Sequence, residues 1–198
     1  MSPLTSKNNE DIRETRKKQI ELAALVIFAK NGYMRTKMSV IANEAKISEG
    51  LIYRYYKSKE QLFLSIVEVL MKESSREIEL LNQMDGTPLE QITLLTQKML
   101  EEQSKIGFMF IEEAKKEDEV PRRVTDLIQS YSDQNIINHL IPIFIKGQEQ
   151  GEFIPGDAQK NLSWYFYVVN LIINDEHGDL EYGFPSIKML LRLIKNPS

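Results

Sequence analysis

The 198-residue sequence contains no cysteine, which excludes disulfides and thiolate metal sites and is compatible with a reducing compartment. It has no apolar run of membrane-spanning length, and its opening, MSPLTSKNNEDIRE, lacks the hydrophobic core of a signal peptide. A cytoplasmic protein without a membrane partner is therefore expected. No segment alternates apolar and polar residues over a useful length, so strands are not expected, and there is neither an internal repeat nor a low-complexity tract. Neither G-x-S-x-G nor H-E-x-x-H occurs, which leaves a helical hydrolase or metal enzyme without its machinery. The only histidines, His139 and His177, stand at no recognised ligand spacing, and Asp175-Glu176-His177 reads as a surface loop at a helix end. No metal and no cofactor are expected.

What is present is the composition of an ordinary globular protein, 42% hydrophobic and 27% charged, long enough for one large domain or two small ones. The net charge of −4 conceals a division. Residues 1–60 carry 12 Lys and Arg against 7 Asp and Glu, a net +5, while residues 61–198 carry 13 against 22, a net −9. Phosphate binding needs a local basic surface, not a basic protein, so the asymmetry directs the N-terminal segment towards nucleic acid. Ordinary scatter of surface charge is the alternative.

The chemistry concentrates between Thr36 and Leu62. Ile41, Ala42 and Ala45 recur at helical spacing, Lys46-Ile47-Ser48 interrupts them, and Leu51, Ile52 and Tyr56 share one face of a second short helix. This is a helix-turn-helix pattern. Ser48 is the natural N-cap of the second helix, because its hydroxyl can accept from the first free amides. Glu49, Leu51, Arg54 and Tyr55 point outward with Gly50 and Tyr53 beside them, a mixture of donors, acceptors and rings suited to a major groove. Gly50 lets a backbone approach a phosphate without a side chain intervening. Ala42 is small where two helices cross.

At these residues the sequence resembles the tetracycline-repressor (TetR) family of bacterial transcriptional regulators. The resemblance is carried by Phe28, Gly32, Tyr33, Thr36, Ile41, Ala42, Ala45, Ile47, Ser48, Gly50, Ile52, Tyr53, Tyr55, Tyr56, Lys59, Glu60 and Leu62. It covers about the first third of the chain, and the remainder is similar only in length and helical texture. It implies a three-helix DNA-binding domain, a larger helical regulatory domain, and a homodimer that represses a promoter until a small ligand binds. The expected DNA-facing set is Thr36, Lys37, Ser39, Ser48, Glu49, Gly50, Leu51, Tyr53, Arg54, Tyr55 and Lys59. Three positions depart from the family's commonest pattern. Lys37 stands where Ser or Thr often caps the second helix, which moves that cap to Thr36. Lys46 replaces the usual turn glycine, placing a Cβ where a left-handed conformation is needed at a cost of about 1 kcal/mol. Glu49 is acidic beside phosphates, and either accepts from a cytosine amine or points away.

Taken in order, residues 1–11 read as a frayed arm, in which Lys7 either touches a phosphate or does not. A first helix is expected over 12–31, burying Ile20, Ala23, Ala24, Ile27 and Phe28 and ended by Gly32. Arg13, Arg16, Lys17 and Lys18 near its start oppose the macrodipole, which fits a nearby polyanion; a solvated face paired with Glu14 and Glu21 fits equally. Ser58 caps a fourth helix running to about Leu81 on Leu62, Phe63, Ile66, Val67, Leu70 and Met71, a mechanical link from motif to regulatory body. A turn at Asp85-Gly86-Thr87-Pro88 opens helices over 88–104 and 107–117. One long helix is expected from Pro121 to Glu149, kinked at Pro142, followed by a break at 151–156. Asp157 caps a helix over 157–175, residues 176–185 form a loop, and Ser186 opens a terminal helix to Lys195.

The fold expected is all-α, with about nine or ten helices: a helix-turn-helix domain over 1–60 and a helical regulatory, ligand-binding and dimerisation domain over 61–198. Residues 162–173 and 136–145 are apolar nearly all round, so they are buried on more than one side. Two such helices per chain make a four-helix dimer interface, with burial wholly inside one subunit as the alternative. A cavity between helices of this domain is expected to hold a small hydrophobic or aromatic effector, with Phe63, Met99, Gln103, Phe108, Met109, Tyr131, Asn135, Trp164 and Tyr167 as its lining. The function expected is a ligand-responsive dimeric repressor of a palindromic DNA operator. The alternative is a helical adaptor that keeps the motif and binds protein.

Overall fold

The computed structural model describes residues 3–116, 118–131, 133–175 and 183–197, without the side chains of 3–9, 102, 103 and 133–136. Among these residues it is all-helical, with ten helices and a single isolated β-bridge. Helix α1 (Pro3–Arg35) starts well before Ile12, so Arg13, Arg16, Lys17 and Lys18 lie in its interior, and the macrodipole argument for a polyanion at its start does not apply. Ile20, Ala23, Ala24 and Phe28 are buried as expected, and Ile27 is half-buried. Gly32, at φ 73 and ψ 169, breaks the helix into two pieces. It does so where a carboxylate oxygen of Glu113 would lie 2.9 Å from any Cβ placed there.

The helices α2 (Met38–Glu44) and α3 (Glu49–Tyr55) form the motif, and α4 (Lys59–Gln83) follows. Helix α5 (Pro88–Met99) opens with a reciprocal cap between Thr87 and Glu90 and Pro88 in its first turn. It ends at Met99, not near residue 104, because the Leu100 amide is shared between the Thr96 and Gln97 carbonyls and the turn tightens there. Helix α6 (Glu102–Ala114) then runs through Gly107, which is buried inside it and does not break it. The long helix expected from Pro121 is two helices, α7 (Arg122–Ser130) and α8 (Asp133–Glu149), with Pro142 inside the second.

Helix α9 (Ala158–Ile173) is capped by Asp157, whose side chain accepts from the Lys160 amide at 3.0 Å. Helix α10 (Ile187–Leu191) is capped by Ser186 and stops short of Lys195. Residues 192–194 tighten into three-residue turns, after which Ile154 and Asn196 amides bond the Ile194 and Glu152 carbonyls and tie the end of the chain to the loop before α9. The loop expected over 176–185, including Glu176 and His177, lies largely outside the described residues.

The chain forms two compact units, Met1–Leu70 with Met109–Ser130, and Met71–Phe108 with Tyr131–Ser198. The division does not fall at residue 60. The reason is an aromatic cluster in the first unit: Phe63 of α4 packs edge-on to Phe28 at 4.8 Å between centroids and lies 4.6 Å from Phe110 of α6. The first turns of α4 and the end of α6 are thereby part of the N-terminal core. The second unit packs α8 on α9 and on α5 around Ile92, Leu140, Phe144, Phe153, Leu162, Tyr165 and Val169. Its Phe144 and Phe153 rings stack at 4.6 Å, a fit possible only because residue 147 is glycine: a Cβ there would meet Phe153 at 2.2 Å. Inside this core Thr96 donates to the Ile92 carbonyl, which leaves the Tyr165 hydroxyl as donor to Thr96 at 2.7 Å. Burial raises the Tyr165 hydroxyl's pKa, so it stays protonated and the pair is satisfied.

Candidate nucleic-acid interface

The motif is built from α2 outward. Met38, Ile41 and Ala42 are buried, while Lys37, Ser39 and Val40 are exposed. Lys37 is the N-cap residue of α2 and supplies no side-chain cap. Thr36, expected to cap and to face DNA, does neither: it is 2% exposed, and its hydroxyl donates to the Gly32 carbonyl at 2.7 Å, joining the two pieces of α1.

The turn after α2 is a two-bond helix stop. The Lys46 amide donates to the Asn43 carbonyl at 3.0 Å and the Ile47 amide reaches back to Ala42 at 2.9 Å, with Lys46 left-handed at φ 53. The conformation anticipated for this position is therefore present, carried by a residue with a Cβ. From behind, the Gln19 side-chain amide donates to the Ala45 carbonyl at 2.7 Å, and Arg16 holds Gln19 at 2.8 Å.

Helix α3 opens on Ser48, whose hydroxyl oxygen accepts from the Leu51 amide at 3.2 Å. Ile52 and Tyr56 are buried, Leu51 and Tyr55 are half-buried, and Glu49, Gly50, Tyr53 and Arg54 are exposed. Gly50 has open space around it, so no packing requires a glycine there. The exposed face combines a cation, a carboxylate, a phenol and a bare stretch of backbone, each able to meet a base edge or a phosphate.

The far end of α3 is held by a polar node. The Tyr56 hydroxyl lies 2.5 Å from Glu21 Oε1, and Ser65 of α4 donates to the same oxygen at 2.6 Å. Burial, then the bond to Glu21, pushes the Tyr56 hydroxyl far above the ordinary tyrosine range. Lys59, expected to contact a phosphate, is turned inward: its ammonium donates to the Tyr33 and Thr36 carbonyls at 2.8 and 3.0 Å and sits 4.1 Å above the Tyr33 ring. Burial lowers its pKa. A cation beside the carbonyls ending α1 is favourable to the helix. Gln19 and Glu21 do not stand out in the sequence pattern; the available signal is that both flank the buried Ile20 and so border the packed face of α1.

The residues expected around an effector are divided between the two units. Phe63 is fully buried in the aromatic core of the first unit, and Met109 belongs to that unit too. Met99 and Phe108 pack half-buried against the core of the second unit, where Tyr131 is also half-buried. Trp164 and Tyr167 face solvent, 67% and 64% exposed, because α9 buries Leu162, Tyr165, Phe166, Val169 and Ile173 instead. The side chains of Gln103 and Asn135 lie outside those described. Among the described residues no group of His, Asp and Glu is arranged to hold a metal, and no helix is long and apolar enough to cross a membrane.

Comparison with known proteins agrees with this geometry. The family of bacterial regulatory proteins named tetR matches residues 21–66, which span the motif. The fatty acid metabolism regulator protein of Bacillus subtilis (strain 168) is 26% identical over 172 residues, covering 82% of this chain and 86% of that protein. The HTH-type transcriptional regulator YvkB of the same organism, itself uncharacterized, is 28% identical over 185 residues, covering 90% and 93%. Among solved structures, the ketosteroid transcriptional regulator KstR2 of Mycobacterium tuberculosis shares the fold with a TM-score of 0.72 at 17% identity, over 92% of this chain and 96% of that one. The chain thus carries the DNA-binding domain of the TetR family of bacterial regulatory proteins, and over most of its length it is similar to regulators of transcription.

Proposed function

We propose that the chain is a homodimeric repressor that leaves a palindromic DNA operator when a small hydrophobic or aromatic molecule binds its second unit. The observation that carries the DNA half is the exposed face of α3: Glu49, Gly50, Tyr53 and Arg54 turn outward while Ile52 and Tyr56 anchor the helix. Two such helices, one per subunit, read half-sites separated by a helical turn or a multiple of it. The dimer is supported by Trp164, Tyr167 and Leu171, spaced three and four apart on α9 and all largely exposed, an apolar stripe that a second copy would cover. A repressor of chromosomal DNA would work in the cytoplasm.

The effector half rests on the half-buried Met99 and Phe108 against an apolar core, and on the kinship with a fatty acid metabolism regulator, which favours an apolar molecule. Release then needs only a population shift between two dimer geometries, with α4 carrying the displacement. Weakening operator binding a hundredfold takes about 2.7 kcal/mol of preference for the released geometry.

Selection of bound fragments from genomic DNA by the purified protein tests the reading. A recovered palindrome whose binding weakens in Tyr53→Ala and steeply with added salt supports it. Failure to enrich any duplex, or binding indifferent to salt, would favour the protein-binding adaptor.

A further inference from the structure

We propose that Lys46 is a DNA-backbone contact, its ammonium presented to a phosphate by the strained turn between α2 and α3. Among the described residues it is the one non-glycine with a left-handed backbone, at φ 53. A lysine has no intrinsic reason to be there: it carries a Cβ into a region that glycine enters freely and asparagine tolerates. Strain of this kind persists where the surroundings enforce it and, at binding sites, where the side chain is used.

The surroundings enforce it. The Lys46 and Ile47 amides are bonded to Asn43 and Ala42, and the preceding carbonyl, of Ala45, accepts from Gln19. The side chain itself is exposed, and no carboxylate among the described residues lies within ion-pair reach of it. Arg16, fixed on Gln19 at 2.8 Å, brings a second cation to the same turn, two residues before the Ser48 cap of α3. Two cations flanking the entry of a DNA-facing helix, one of them on a backbone that a neutral glycine would occupy at lower energy, match a polyanion bearing regularly spaced phosphates.

The inference rests on the DNA-binding reading, and the test separates the two. Lys46→Gly, Lys46→Asn and Lys46→Arg are made in the full chain and titrated with a mixed-sequence duplex over a series of salt concentrations, since a phosphate contact is blind to sequence. Glycine and asparagine both accept the left-handed backbone, so folding is not at risk. Lys46→Gly is expected to raise the thermal midpoint by about 2–4 °C. Lys46→Gly and Lys46→Asn are expected to flatten the salt dependence by about 0.9 for each subunit bound. They should also weaken binding on the order of tenfold. Lys46→Arg should keep the wild-type slope. If the wild type binds and the glycine and asparagine variants share its slope, the contact is overturned and the DNA-binding reading stands. If the wild type binds no duplex at low salt, both fall.

Discussion

The phenolic oxygen of Tyr56, the residue that closes α3, lies 2.5 Å from Glu21 Oε1 in the middle of α1. Because Ser65 donates to the same carboxylate oxygen, one acidic group joins α1, α3 and α4 through their side chains. The Tyr56 hydroxyl is the donor, and the node exists only while its proton stays on. Burial and the Glu21 carboxylate raise its pKa in the folded chain above the unfolded value near 10. The folded state therefore keeps a proton that the unfolded state has lost once the pH exceeds about 10, and stability must fall as pH rises beyond that point. Denaturant unfolding followed from neutral to alkaline pH should show this decline, with Tyr56→Phe reducing its steepness by up to about 1.4 kcal/mol per pH unit. An unchanged slope in the variant would assign the alkaline loss to Tyr33 and Tyr165, whose hydroxyls are also shifted upward by burial.

Lys59 gives a second prediction. Its ammonium satisfies two carbonyls at the end of α1, so Lys59→Met, which keeps the stem over Tyr33 and removes the donors, should destabilise the chain by about 1–2 kcal/mol. The slope of DNA affinity against salt should not change, because no phosphate partner has been removed. Full stability with a flatter slope would return Lys59 to the DNA surface.

Gly50 separates stability from binding in the opposite direction. It stands in the first turn of α3 at an exposed position, and a methyl group added there would find nothing within 4 Å, so Gly50→Ala fits without collision. The alanine should stabilise the helix by about 0.5–1 kcal/mol. If the bare backbone is where a phosphate approaches, the same change should weaken DNA binding on the order of tenfold, a loss of about 1.4 kcal/mol. Calorimetry of the free protein and titration with duplex DNA check the two signs. Alanine that stabilises without weakening binding would leave Gly50 no part in the interface.

The features legible in the sequence are those decided locally. Ser48, Asp157 and Ser186 cap helices because a short side-chain oxygen reaches an amide three residues on, and that geometry needs no knowledge of the rest of the chain. The left-handed residue after α2 is anticipated by the family resemblance, whose pattern usually has a glycine at that turn position. What sequence does not supply is direction. Lys59 looks like any basic residue beside a DNA-binding helix until the carbonyls of Tyr33 and Thr36 are placed beneath it. Thr36 looks like a cap until α1 is seen to continue past Gly32. A boundary at residue 60 fails because Phe63 meets Phe110, a partner far along the chain. The interruption between α7 and α8 is hidden because Pro142, the visible helix breaker, is accommodated inside α8.

Helix α9 shows the same limit and yields the last prediction. Its sequence is apolar almost all round, so periodicity alone does not say which residues meet the core; Trp164 reads as buried, yet in one subunit it is 67% exposed. Trp164→Glu is therefore expected to break the dimer and to spare the fold. A glutamate at this site is solvated in the lone subunit, and its effect on monomer stability should stay within about 0.5 kcal/mol. In a dimer that covers the stripe of Trp164, Tyr167 and Leu171, the same carboxylate would be desolvated against apolar side chains without a partner, a penalty that association cannot absorb. Sedimentation velocity should show the wild type at twice the mass of Trp164→Glu, with both equally helical by circular dichroism. Operator affinity should fall with dimerisation, because a single recognition helix loses the second half-site. A helical Trp164→Glu chain that still sediments as a dimer would move the interface off this face of α9.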